Sequence, residues 1–192
     1  MRSAEFDRDC VLRSAMDIFI TKGYANTSMQ DLKQATGLHP GSIYCAFKNK
    51  RGLLLAALEH YSDQRYTQFV ALFSQSTSVM EAITTYLEHV VDECEREQIK
   101  DCLLQKALSE LAQQDIEVAD IISDMLKQWQ QALAEQLALA QQNNEIDNQR
   151  DSQQLAQFLV MGIYGIRVLS HTHPDSGVLR RLAADLVDYI KK

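Results

Sequence analysis

Absences narrow this chain first. Only two prolines, Pro40 and Pro174, stand in 192 residues, and 46% of the chain is hydrophobic. Proline breaks helix interiors by removing a donor and clashing with the preceding turn, so this scarcity favours a mostly helical protein. No uninterrupted apolar run is long enough to cross a bilayer. The amino end, MRSAEFDRD, is acidic and has no apolar signal core. Together these lacks predict a cytoplasmic chain with no membrane partner. The four cysteines, Cys10, Cys45, Cys94 and Cys102, make neither a CxxC pair nor a disulfide framework, and are expected as reduced thiols. Nucleophile–base pairings, Gly-rich phosphate loops and metal-ligand sets are all missing, so neither catalysis nor a cofactor is expected. His171 and His173 stand two apart in a turn with no third ligand, and read as a solvated loop rather than a metal site. There is no internal repeat and no low-complexity tail.

The charge is present but uneven. The chain carries −7 overall. Residues 1–52 hold eight cationic residues (Arg2, Arg8, Arg13, Lys22, Lys33, Lys48, Lys50, Arg51) against five acidic ones (Glu5, Asp7, Asp9, Asp17, Asp31). That is a net +3, which leaves −10 for the remainder. A mildly basic head on an acidic body orients the molecule towards DNA by one end. So modest a head charge predicts a moderate salt dependence.

The densest signal is Thr27–Leu54, TSMQDLKQATGLHPGSIYCAFKNKRGLL. Thr27 and Ser28 are good caps for a helix over Met29–Thr36, whose Met29, Leu32 and Ala35 share one side. Gly37 stands where a left-handed residue ends a helix. Pro40 suits the first turn of a second short helix, about Gly41–Phe47, with Ile43 and Phe47 inward. Two helices joined by a glycine-containing turn make a helix-turn-helix, whose second helix enters the major groove. That leaves His39, Ser42, Tyr44, Cys45 and Ala46 towards the exposed side. Ser42 can reach base edges, and Tyr44 a phosphate. Lys48 and Lys50, with Arg51 beside them, lie where the next helix begins, and Ser28 opens the first helix of the pair; such groups suit phosphate oxygens.

The approach helix ending Phe19-Ile20-Thr21-Lys22-Gly23-Tyr24, then Thr27-Ser28-Met29, Ala35-Thr36-Gly37-Leu38, Gly41-Ser42-Ile43-Tyr44, Phe47, Lys50 and Leu53-Leu54 resemble the TetR family of bacterial transcriptional regulators. The resemblance covers about the first quarter of the chain. It implies an all-α fold of about nine helices, with a DNA-binding domain over 1–52 and an effector-binding and dimerisation domain over 53–192. It implies a homodimeric repressor that binds a palindromic double-stranded operator and releases it when an effector binds. By position, Ser28, Tyr44 and Lys50 would meet phosphates, and Gln30 and Ser42 would read bases. Where many members carry aromatic or His residues after the tyrosine, this chain has Cys45-Ala46, which removes candidate phosphate contacts there. The competing reading is a helical lipid or small-molecule carrier on the same scaffold that no longer reads DNA; Tyr44, Lys48 and Lys50 argue against it.

Helical patterns continue to the end. Residues 6–22 form an amphipathic helix behind the reading pair. Further helices are expected from Lys50 to about Phe73, from the Ser78–Glu81 capping box to about Glu97, from Cys102 to about Gln113, over Ile116–Gln142, over 152–170 and from about residue 178 to the end. Ile99-Lys100-Asp101 breaks the pattern. The last two helices are apolar on more sides than one chain covers. Leu155, Leu159, Gly162, Ile166, Leu179, Leu182 and Leu186 are therefore expected at a subunit interface, as half of a four-helix bundle, the alternative being burial within one monomer. The family pattern converges Tyr86, His89, Met125, Trp129, Phe158, Met161 and Tyr164 on an effector pocket, although a Met and aromatic stripe at helical spacing also reads as plain core. Cys102, at a helix N-terminus two residues after Lys100, is a candidate electrophile sensor, because the helix N-terminus and the cation both favour the reactive thiolate; the alternative is an inert buried thiol.

Overall fold

The structure, a computed structural model, describes residues 6–96 and 102–192. The regular structure among them is helical throughout: α1 (Arg8–Lys22), α2 (Met29–Thr36), α3 (Pro40–Phe47), α4 (Lys50–Gln75), α5 (Val79–Glu95), α6 (Leu103–Leu111), α7 (Ile116–Gln142), α8 (Ser152–Ser170) and α9 (Val178–Lys191). None of these helices is long and apolar enough to cross a membrane. The expected break at Ile99-Lys100-Asp101 lies outside the described residues.

Local chemistry sets the boundaries. The Asp7 carboxylate accepts from the Cys10 N–H at 3.1 Å and opens α1. Ser28 and Asp31 form a reciprocal capping box at the start of α2, which satisfies two backbone donors that a helix start leaves open. Gly37, with φ +71°, ends α2 in the left-handed region, its N–H donating to the Lys33 carbonyl at 3.0 Å. A side chain there would be strained. Pro40 occupies the first turn of α3, where its missing N–H costs nothing. Ser78 and Asp151 cap α5 and α8 through their side chains.

The described residues divide into two compact units, one within Met1–Arg65 and Asp101–Met125, the other within Tyr66–Lys100 and Leu126–Lys192. The first unit extends past the head expected at 1–52. It takes in the first part of α4, α6 and the start of α7. Its core joins Leu12, Ala15 and Phe19 of α1 to Leu32, Ile43, Leu54 and Leu58, and α6 adds Leu103 and Ala107. α1 packs against both α2 and α6.

In the second unit, α5, α8 and α9 pack on one another, around Ile83, Leu87, Val91, Leu159, Ile163 and Val187, with Leu133 and Leu137 from α7. Arginines tie the rim: Arg167 donates to Glu93 at 2.8 Å, and Arg180 to Asp92 at 2.8 Å and Glu95 at 2.6 Å. This packing corrects the expected subunit interface. Leu155, Leu159, Ile166, Leu179 and Leu186 are buried within the unit itself. A Cβ on Gly162 would lie 2.5 Å from both Leu186 methyls, so that small residue admits an internal contact. Of the expected set only Leu182 is exposed. The outward apolar residues of α8 and α9 are Met161 and Val168, each about 60% exposed, with Leu182 and Tyr189. A helix that is apolar on several sides does not reveal which side its own chain covers.

Candidate nucleic-acid interface

α3 is anchored by two side chains and open elsewhere. Ile43 and Phe47 are buried, while His39, Tyr44, Cys45 and Ala46 are exposed and Ser42 is half-buried. On α2, Gln30 is exposed, and so is Ser28. The Ser28 hydroxyl is engaged in its cap, donating to Asp31 at 2.7 Å and accepting from the Asp31 N–H at 3.1 Å. Lys22 closes the same cluster, its ammonium 2.6 Å from Asp31. Hydrogen bonds from Lys22 and then Ser28 hold the Asp31 carboxyl far below the usual carboxylate range. His39 caps α3: its Nδ1 accepts from the Gly41 N–H at 3.3 Å. In the neutral ring the proton then sits on Nε2, which makes this residue a donor at the start of the helix.

The three expected cations divide in fate. Lys48 is exposed and has φ +68° and ψ −46°. The Asn49 N–H donates across it to the Phe47 carbonyl at 2.8 Å. This is a γ-turn of the rarer positive-φ kind, strained for any residue with a Cβ. It directs the chain from α3 into α4, and the Asn49 side chain then accepts from the Gly52 N–H at 2.8 Å. Lys50 is half-buried. Its ammonium donates to the Tyr24 and Thr27 carbonyls at 2.8 and 2.9 Å and lies 4.2 Å from the Tyr24 ring centre. Two of its three donors are thus committed inward and one remains for a phosphate. Burial lowers its pKa, and the charge of Glu110 opposes that shift. Arg51 is drawn away altogether. It forms a fork with Asp115, at 2.5 and 3.0 Å, and reaches Glu117 at 2.8 Å.

The acidic and basic partners on α6 and α7 escaped the sequence reading. Glu110 accepts from the Tyr24 N–H at 2.7 Å and the Ala25 N–H at 3.3 Å. Lys106 donates to the Ile20 carbonyl at 2.6 Å. No local pattern marks these residues, because their partners are 85 or 86 residues away in sequence.

The expected effector residues fall into separate groups. Tyr86, Trp129 and Tyr164 form a continuous aromatic chain in the second unit, with ring centres 6.4 and 6.2 Å apart, and Phe69 extends it at 6.1 Å from Tyr86. Phe158 does not join that chain but stacks on Tyr189 at 4.1 Å. Met161 and His89 are exposed, which corrects their expected place in an enclosed wall. Met125 belongs to the first unit. Cys102 is the half-buried N-cap residue of α6, without a side-chain cap bond, and its expected neighbour Lys100 lies outside the described residues. A shallow notch of about 250 Å³, lined by Ser14, Asp17, Ile18, Thr21 and Ala35, involves none of these residues.

Comparison with known proteins gives two family matches. The sequence profile described as bacterial regulatory proteins, tetR family, matches residues 11–57. The tetracyclin repressor-like C-terminal domain profile matches residues 79–186. The HTH-type transcriptional repressor ComR of Escherichia coli (strain K12) is 30% identical over 170 residues, which covers 87% of this chain and 80% of ComR. The HTH-type transcriptional regulator YezE of Bacillus subtilis (strain 168) is 29% identical over 160 residues, 82% of each chain. A solved structure of a cysteine mutant of the TetR family regulator CifR, complexed with 26 bp double-strand operator DNA, superposes with a TM-score of 0.83 at 25% identity and covers 98% of both chains.

Proposed function

This chain belongs to the tetR family of bacterial regulatory proteins, DNA-binding transcriptional regulators, and from that premise we propose that it represses transcription as a homodimer on a palindromic operator and lets go when a small molecule or an electrophile binds. The observation that carries the DNA half is α3. Two buried anchors, Ile43 and Phe47, hold a short helix whose other face presents His39, Ser42, Tyr44 and Cys45, on the scale of a major groove. Ser28, Lys48 and the remaining Lys50 donor flank it as backbone contacts, with Gln30 as a further base reader. The CifR complex with operator DNA, similar over nearly the whole chain, supports the same reading. The protein then works in the cytoplasm on nucleoid DNA, as a binding protein rather than a catalyst.

Homodimerisation follows from the need to occupy two half-sites. The outward apolar residues Met161, Val168, Leu182 and Tyr189 are the face we assign to it. For the effector, the Tyr86–Trp129–Tyr164 chain supplies flat apolar walls suited to a small molecule, and Cys102 the thiol for an electrophile. The release then rests on an effector that binds one body conformation better than the other.

The test is operator selection from a random duplex pool, followed by affinity measurement at two salt concentrations. An inverted-repeat consensus and binding that weakens with salt are expected. A protein that enriches no sequence, yet binds lipids or small molecules, would return the carrier reading. Trp129 is the sole tryptophan, so its fluorescence reports effector binding in the same sample.

A further inference from the structure

We propose that Glu110 is the positioning residue that fixes the α2–α3 reading pair on α1, which makes α6 a working part of DNA recognition; the proposal rests on the operator-binding reading above. Residues 23–28 are the chain's passage from α1 to α2, and α3 follows α2 through the tight turn at Gly37. The direction in which α3 presents its readers is therefore set at this passage.

The passage is a turn closed in part by its own backbone, the Thr27 N–H donating to the Tyr24 carbonyl at 3.3 Å and the Gly23 N–H to the Phe19 carbonyl at 2.9 Å, and charged side chains meet other polar groups along it. Two successive donors go to one carboxylate: Glu110 takes the Tyr24 and Ala25 N–H groups. Acceptors in and beside it meet two ammonium groups, while the Gly23 carbonyl accepts from the Thr27 hydroxyl at 2.6 Å. Lys106 takes the Ile20 carbonyl, and Lys50 the Tyr24 and Thr27 carbonyls. Glu110 and Lys106 stand four apart on α6, so one face of one helix grips the last turn of α1 and the start of the passage. Hydrogen bonds to charged groups are shorter and stronger than neutral ones.

Gly23 shows that the fit is built around the carboxylate. Its φ is +79°, and a Cβ there would lie 2.2 Å from the Glu110 Oε1. The space a side chain would occupy is taken by Glu110. A single backbone bond of 3.3 Å, from the Thr27 N–H to the Tyr24 carbonyl, closes this turn only loosely. An anion aimed at two successive N–H groups instead selects one turn geometry.

The energetic consequence is a population effect. Apparent operator affinity scales with the fraction of molecules whose head is already in the reading geometry. Replacing the carboxylate by an amide weakens both bonds but keeps an acceptor, whereas alanine removes the grip.

The experiment uses the full chain and a duplex that the native protein has enriched from a random pool. Glu110→Gln is expected to weaken binding about 5-fold and Glu110→Ala about 10-fold or more, at a temperature where both variants keep the native circular dichroism. Amide exchange at Tyr24 and Ala25 is expected to rise in the same order. A bond that served stability alone would lower the melting temperature and leave the affinity of folded molecules, and its partial rescue by Gln, unmoved. Native affinity in both variants overturns the proposal. So does weakened affinity with unchanged exchange at Tyr24 and Ala25. If Glu110→Ala fails to fold, the isosteric Glu110→Gln decides alone by the same two readouts. A native chain that enriches no duplex at all sinks the operator reading itself, a result distinct from either of these.

Discussion

Lys48 carries two burdens that a pair of substitutions separates. Its positive φ within a γ-turn stores strain of about 1–3 kcal/mol. Its exposed ammonium is assigned to an operator phosphate. Lys48→Gly relieves the strain but adds backbone freedom to the unfolded chain, which costs about 0.4–1 kcal/mol. The net expectation is a gain of roughly 1 kcal/mol, or about 2–4 °C in the unfolding midpoint for a chain of this size. The same variant loses one cation per protomer. Each phosphate contact contributes about 0.9 to the slope of log affinity against log salt, so a dimer should lose about 1.8. Lys48→Ala loses the same charge and keeps the strain. Both variants should therefore show the reduced slope, and only glycine the higher midpoint. Thermal melts at fixed protein concentration and anisotropy titrations at four salt concentrations measure the two quantities. A glycine variant that melts below alanine would refute the strain argument, and an unchanged slope in both would remove Lys48 from the phosphate contacts.

Other outcomes follow from the same geometry. Ser28→Ala removes the α2 capping box and should cost about 1 kcal/mol, seen in denaturant titration. The depressed pKa of Asp31 makes its contribution complete at neutral pH and lost as pH falls below the ordinary carboxylate range; Lys22→Ala should flatten that acid dependence in melts from about pH 5 down to about pH 2. Val168→Glu should shift sedimentation towards monomer without unfolding the chain, while Leu159→Ala, buried in the core, should cost about 2–5 kcal/mol and leave the association state alone. Because Cys45 is exposed on the reading helix, the thiol test needs a Cys45→Ser background. There, N-ethylmaleimide should still release operator, and the further Cys102→Ser change should stop it.

The helix-turn-helix was legible because its signals are local: a cap at Ser28, a glycine at 37, a proline at 40 and two inward residues at 43 and 47. Local rules act within a few residues and sequence displays them directly. Periodicity likewise marked the nine helices of the described residues. It could not orient α8, whose apolar residues satisfy both a core and an outer face, so residues expected between subunits proved internal. Lys50 illustrates another limit. Its type and position read as a phosphate ligand, but burial beside Tyr24 and two carbonyls turns most of its hydrogen-bonding capacity inward. Arg51 is diverted to Asp115 for a related reason: two surface charges far apart in sequence meet only once the chain has folded.

The inclusion of α6 in the first compact unit bears on how such proteins diversify. A recombination event that exchanged only residues 1–52 would sever the recipient turn from its own Lys106 and Glu110 and present it to a stranger's helix. Heads and bodies of different ancestry should be interchangeable only when the segment around Glu110 travels with the head. Chimaeras built on the shorter segment would inherit the vocabulary of one operator without the grammar that holds it in place.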